Sequence, residues 1–398
     1  MCTSRLSVCM APSSWLQRIR LSGCCYPQRS SKAQAGFSII EILVGLAIGL
    51  ASMLVTYQLY SVSENKRRNV SSVSNAQTAG ALALFSIDRD IRSAGLGFAA
   101  MEPRHLGCSV QAHHNGRAFT FPLVPVRITA SGGGVQLWVL TGSSANMVTG
   151  SRYEASANGV ISMEKSNAGL HAGDVAVGTS DGNGQECLLM EITAGDRSTV
   201  ATETGSAAYP SNRVSQGTGS YTNFYTGTAV APRFNGGSRR NMLDGGTTSL
   251  GEGALYNLGR EPQLHVWSLD GNELIHYNRL NETSESSVAV AHDVLSFQAE
   301  YGYDVNGDGQ IDGNDQWTAT FSDGWTWDRV LAVRVAVLVR SSQYERDEVT
   351  QNPPRWANGS KQFWTSDDAP DSDWKHYRYR VYESVIPLRN TLWGQLAP

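Results

Sequence analysis

Apolar residues run almost unbroken only once along the chain. Residues 37–60 read FSIIEILVGLAIGLASMLVTYQLY, 24 residues with one charge, Glu41, and no proline. A helix of this length spans roughly 36 Å, enough for a bilayer core of about 30 Å. Beyond it the apolar positions become periodic. Val70, Val73, Gln77, Ala81, Leu84, Ile87, Ile91 and Ala94 recur three and four residues apart, which places them on one helical face. No proline stands between Pro27 and Pro103, and Gly95 and Gly97 are stop signals. The pattern predicts one helix over 37–94, about 87 Å long if straight. Residues 37–60 would form its membrane-spanning part and 61–96 its amphipathic continuation, with the second half packed on a head.

From 97 to 398 the period changes to two. Gln263–Ser268 and Glu273–Asn278 flank Leu269-Asp270-Gly271-Asn272, a hairpin signal with Asp-Gly as its turn. Leu295, Phe297, Ala299 and Tyr301 share one face of a strand over 294–301. Leu331, Val333, Val335, Val337 and Val339 share one face of another over 330–340, with Arg334 and Arg340 opposite. Residues 377–388 make a further strand. The 40 glycines, concentrated after position 95, also suit strands and loops better than helices. Residues 203–253, rich in Gly, Ser, Thr and Asn, read as a loop-rich insertion. The expected fold is α+β: a long N-terminal helix on a β-rich, antiparallel-sheet head.

Charge adds direction. Residues 1–36 carry Arg5, Arg18, Arg20, Arg29 and Lys32 and no acid, which favours a cytoplasmic N-terminus; Glu64, Lys66, Arg67 and Arg68 after the apolar run oppose this weakly. The head would then lie outside the cytoplasm. Residues 37–398 hold 27 basic against 36 acidic residues, so a broad nucleic-acid surface is disfavoured. A plain signal anchor, a signal peptide cut near Ala47-Ile48-Gly49 and a buried core helix compete for the apolar run. Glu41 separates them, since an ionised carboxylate at membrane depth costs about 2.5–3.5 kcal/mol and nothing in the same helix offers it a cation.

Residues 35–44, Ala-Gly-Phe-Ser-Ile-Ile-Glu-Ile-Leu-Val, resemble the type IV prepilin cleavage and methylation motif. The resemblance implies cleavage of the 1–36 leader after Gly36 by a prepilin peptidase, N-methylation of Phe37, and retention of Glu41 for assembly. An α-amine on a neighbouring subunit would supply the cation that Glu41 lacks, inside a low-dielectric bundle where such pairing matters most. Met10 is an alternative start and leaves the motif intact. Gly45 and Gly49 form Gly-x-x-x-Gly, which permits close helix approach but is also common in membrane helices without it.

Residues 79–95 (Ala-Gly-Ala-Leu-Ala-Leu-Phe-Ser-Ile-Asp-Arg-Asp-Ile-Arg-Ser-Ala-Gly) are similar to the helix of minor pilins of the PilW family, and also to the J-type minor pseudopilin of type II secretion. Residues 377–390 (Tyr-Arg-Tyr-Arg-Val-Tyr-Glu-Ser-Val-Ile-Pro-Leu-Arg-Asn) strengthen the PilW likeness. It implies a non-catalytic subunit of a pilus priming or tip complex with motility or adhesion as output. Its partners would be other minor pilins, the major pilin, the processing enzyme and an inner-membrane assembly platform. The protein would sit in the inner membrane as a single-pass chain with a periplasmic head, and then in the pilus at the cell surface. A membrane-anchored, calcium-stabilised binding protein is a further reading.

Residues 304–315, Asp-Val-Asn-Gly-Asp-Gly-Gln-Ile-Asp-Gly-Asn-Asp, fit a twelve-position calcium loop. Asp304, Asn306 and Asp308 take positions 1, 3 and 5, Gly309 the sharp turn, Gln310 a carbonyl ligand, and Asp312 and Asp315 positions 9 and 12. Asp replaces the usual Glu at position 12, and the flanks read as strands, so the loop is more similar to dockerin-type loops than to an EF-hand pair. An Asn/Asp/Gly turn that binds nothing is the other reading. Cys108 and Cys187 are the two cysteines beyond the leader. Their even number in an oxidising compartment suggests a disulfide, with two separate buried thiols as the alternative. His105, His113 and His114 lack zinc spacing and read as surface histidines; Trp317, Trp325 and Trp327 read as core or strand-face residues. No nucleophile-elbow, P-loop, dinucleotide or His-Glu-x-x-His pattern is present, so nothing argues for an enzyme.

Overall fold

The computed structural model describes residues 36–396, apart from 133, 145–149, 158, 182–185, 203–204, 237–251, 282–285, 314 and 366–367. Residues 1–35 of the expected leader and about a third of the 203–253 insertion lie outside the described residues. The long helix runs Ile39–Ser93, and Gly95 and Gly97, both at positive φ, follow its end. The chain separates into two compact units, 1–63 and 64–398.

In the first unit every side chain from Phe37 to Tyr60 is exposed, so the apolar run has no protein core of its own. Two of its hydroxyls are satisfied along the helix. The Ser52 hydroxyl donates to the Ile48 carbonyl and the Thr56 hydroxyl to the Ser52 carbonyl, each at 2.8 Å. The helix is long and apolar enough to cross a membrane.

In the second unit the rest of the helix lies on a nine-stranded sheet. Its main order is Val288–Ala291, Glu273–Asn278, Gln263–Asp270, Gly134–Thr141, Val294–Tyr303, Val330–Arg340 and Tyr379–Pro387. Val126–Ser131 and Gln316–Thr318 pair beside it. All pairs are antiparallel except Val294–Tyr303 with Gly134–Thr141. The core between helix and sheet holds Ala83, Ile87, Ile91, Leu137, Phe297, Val333, Val335, Val337 and Ile386. A second, eight-stranded sheet begins at Arg213–Ser215 and ends at Arg117–Pro122, around Phe98, Phe121, Val177, Leu189 and Tyr256. The α+β architecture expected from the two hydrophobic periods is the one observed.

Four local expectations need correction. The buried helix stripe is Ser72, Ala76, Gly80, Ala83, Ile87, Asp90, Ile91 and Ala94. It meets the predicted face only from Ile87 onward; Val70, Gln77 and Ala81 are exposed. Small residues face the sheet in the middle of the helix because the terminal strand approaches closely. A Cβ on Gly80 would come within 2.4 Å of the Tyr382 ring. Next, Leu295 and Leu331 are out of phase, because each sits where the ladder between their strands shifts register. Val294 and Val330 take the core positions instead. Third, the hairpin strands continue through Asp270, leaving Gly271-Asn272 as the loop, with Gly271 at φ 58°. Last, the 203–253 region is not all loop: Gly205–Ala208, Arg213–Ser215, Tyr221–Thr222 and Ala229–Val230 are short strands.

Candidate functional site

Phe37 lies just before the helix and is 81% exposed, and an added Cβ on Gly36 would meet nothing. Glu41 is in the first turn, its amide donating to the Ser38 carbonyl at 3.0 Å. Among the described residues no ion pair involves Glu41. Gly45 and Gly49 also face open space. The segment thus presents a continuous apolar surface carrying one carboxylate.

The 304–315 loop connects Val294–Tyr303 to Gln316–Thr318, which pair with each other from Tyr303 opposite Gln316. The flanks are strands, as expected. Asp304 is 1% exposed, and its two oxygens accept from the Gly307 amide at 2.5 Å and the Gly309 amide at 2.8 Å. Gly307 and Gly309 have φ of 79° and 78°, a turn only glycine adopts without strain. Asn306 Oδ1 accepts from the Asp308 amide and Asp308 Oδ1 from the Gln310 amide. Asp315 closes the loop by accepting from the Val305 and Asp312 amides at 2.9 and 2.7 Å. The donor set is all oxygen, with four carboxylates in twelve residues, which is the chemistry a hard cation requires. Arg329 caps one side, donating to the Val305 carbonyl at 3.0 Å.

Cys108 and Cys187 form a disulfide, with Cα atoms 5.9 Å apart. It joins the parallel pair Ser109–His114 and Glu186–Glu191 within the second core. Separate thiols are thereby excluded. The bridge spans 79 positions, worth up to about 4.5 kcal/mol in the chain-entropy account.

Nearby, His105 is buried, not on the surface. Its Nε2 is 2.9 Å from Asp181 Oδ1 and its Nδ1 3.0 Å from the Tyr256 hydroxyl. An ionised Asp181 can only accept, so Nε2 donates to it. Arg152 also donates to Asp181, and Arg104 lies 3.3 Å from it. Burial alone would raise the Asp181 carboxyl; the hydrogen bonds from His105 and Arg152 and the charges of Arg152 and Arg104 outweigh it and hold it below 3.8. Burial pushes Tyr256 up to about 12. His113 and His114 are half-buried in the second sheet, and burial lowers His114 despite its bond to the Arg233 carbonyl. Trp325 and Trp327 stack on Tyr303 and Phe321, both at 3.8 Å, and Trp317 covers Gly302 and the Arg334 guanidinium.

A group that the sequence periodicity does not pick out lies under the end of the helix. Asp90 is buried in the sheet-facing stripe. Its Oδ2 lies 2.8 Å from His265 Nδ1 and accepts from Trp267 Nε1 at 3.0 Å. The His276 ring packs against both, at 4.4 and 4.6 Å between centroids. An Asp between Arg89 and Ile91 reads as part of the charged helix surface. Only the alternation of His265 and Trp267 on one strand face hints that a polar partner waits above it.

No curated protein and no solved structure matches the chain. A family model does: PilW, Type IV Pilus-assembly protein W, matches residues 257–390. This is about a third of the chain. It takes in the hairpin with His265 and His276, the 304–315 loop, the two central strands and the terminal strand packed on Gly80. Over residues 257–390 the chain is thus similar to the PilW family of type IV pilus-assembly proteins.

Proposed function

We propose that this protein is a minor type IV pilin that works as a non-catalytic structural subunit of a priming or tip complex. The observation that carries the proposal is the PilW segment at 257–390 in a chain whose N-terminal helix exposes an unbroken apolar surface with Glu41 alone upon it. A prepilin peptidase would cut after Gly36, a methylase would modify the Phe37 amine, and the platform of the inner membrane would pass the chain into a fibre. Glu41 would pair with the α-amine of a neighbouring subunit and set the stagger between them. An apolar surface that no part of its own unit buries gains most of its stability from association in such a bundle. Other minor pilins and the major pilin are the partners this implies, with motility or adhesion as the output. The family match favours the pilus over the type II secretion pseudopilin.

Calcium is part of the same proposal. Asp304, Asn306, Asp308, Asp312 and Asp315, with the Gln310 carbonyl, would hold the ion. It would neutralise the loop carboxylates and stiffen the connection between two strands of the large sheet.

Replacing Glu41 by Ala tests the reading. The variant should be inserted and processed like the wild type, yet be missing from sheared pili and reduce their number. Normal incorporation of the variant would refute the role of Glu41 in assembly.

A further inference from the structure

Asp90, His265 and His276 bring three possible ligand atoms, one carboxylate oxygen and two imidazole nitrogens, within 4.8 Å of one another. Each comes from a different rigid element. Asp90 stands one turn before the end of the helix. His265 and Trp267 are two apart on the Gln263–Asp270 strand, and His276 is paired directly with Trp267 on the next strand. Rigid elements hold ligand positions better than loops do.

We propose that this cluster is a binding site for a divalent transition metal of the zinc class, clamping the helix to the sheet. The donor chemistry selects this class, because two neutral imidazoles and a carboxylate suit a borderline ion, whereas calcium and magnesium prefer oxygen alone. The spacing also fits. A tetrahedral ion with ligands near 2.0–2.1 Å needs ligand atoms roughly 3.3 Å apart. His265 Nδ1 and Asp90 Oδ2 are 2.8 Å apart, and all three ligand atoms lie within 4.8 Å of one another, close enough for a shared ion. On binding, the ion replaces the proton between His265 Nδ1 and Asp90 Oδ2, and His265 ligates as the neutral tautomer with its proton on Nε2, so small side-chain rotations complete the site. Trp267 Nε1 keeps its bond to Asp90 and orients the carboxylate, an outer-shell role that metal sites commonly use. Arg89, whose guanidinium is 3.9 Å from the other Asp90 oxygen, is 74% exposed and its repulsion is screened. Three protein ligands leave a fourth position to water. An anchor between helix and sheet needs only His265 and Trp267; the second imidazole is what makes a ligand set.

The test uses the untagged full chain, purified in detergent and stripped with chelator, with Co2+ as the probe. One equivalent should bind and give the visible absorption of a four-coordinate cobalt site. Zn2+ should abolish that absorption, and a large excess of Ca2+, which would fill the 304–315 loop, should not. His276→Gln should weaken cobalt binding roughly tenfold or more. Zn2+ should also raise the melting temperature of the wild type, which keeps the test decisive if the variant is unstable. Absence of both the cobalt absorption and the zinc-dependent shift would overturn the proposal, and so would a site that calcium empties or that His276→Gln leaves intact.

Discussion

His265 Nδ1 lies 2.8 Å from Oδ2 of Asp90, and this contact fixes the end of the long helix to the large sheet. The carboxylate is buried between helix and strand and accepts a second bond from Trp267. A buried charge that loses its partners is expensive, and so is a buried donor that loses its acceptor.

Asp90→Ala, measured without added metal, should therefore cost about 2–4 kcal/mol in unfolding free energy, because it orphans two ring N–H groups. Asp90→Asn, which keeps one acceptor, should cost less. Thermal or denaturant unfolding checks the order. A neutral Asp90→Ala would show that the contact does not hold the helix.

Gly80 and Tyr382 form another close contact of helix and sheet. Gly80→Leu should destabilise by about 1–3 kcal/mol, since the new side chain begins inside the Tyr382 ring. Tyr382→Ala alone should also destabilise. In the double variant the two costs should fall well short of adding, and a double-mutant cycle measures the coupling. Additive costs would contradict direct contact.

These two contacts show what is readable from the chain and what is not. Ile87, Ile91 and Ala94 obey the helical period, and the valines of 333–339 the strand period, so the layered α+β plan is visible in advance. The sheet-facing middle of the helix is not, because Ser72, Ala76 and Gly80 are chosen for closeness and carry little hydrophobic signal. Leu295 and Leu331 mislead because one inserted residue in a ladder reverses the phase that alternation counts. Asp90 and His105 look like surface residues, since burial of a polar group depends on partners some 175 and 76 positions away. The Cys108–Cys187 pair is legible because its chemistry lies in number, and the strand leading into 304–315 because Phe297, Ala299 and Tyr301 alternate regularly.

Asp181 makes stability depend on pH on the acid side. Its carboxyl is held below 3.8 in the folded chain, so its contribution is fully present above that value and is lost as pH falls through the lower folded one. Asp181→Asn should be less stable than the wild type at neutral pH, and the difference should shrink below about pH 4. Unfolding curves at a series of pH values check this. A difference that grows with acid would contradict the sign.

Calcium should raise the melting temperature of the wild type and leave Asp308→Ala with little response. At a free concentration a hundred times the dissociation constant the gain is about 2.7 kcal/mol. Asp304→Ala should be destabilised even without calcium, because Asp304 also holds the Gly307 and Gly309 amides. A wild-type melting curve indifferent to calcium would remove the ion from the account.

The reading as a pilin stands most directly on the first residue of the exported chain. Mass spectrometry of the membrane-extracted protein should find N-methylated Phe37 at its start, with the basic leader gone. An intact N-terminus bearing Arg18, Arg20 and Lys32, or a cut elsewhere than Gly36–Phe37, would contradict it.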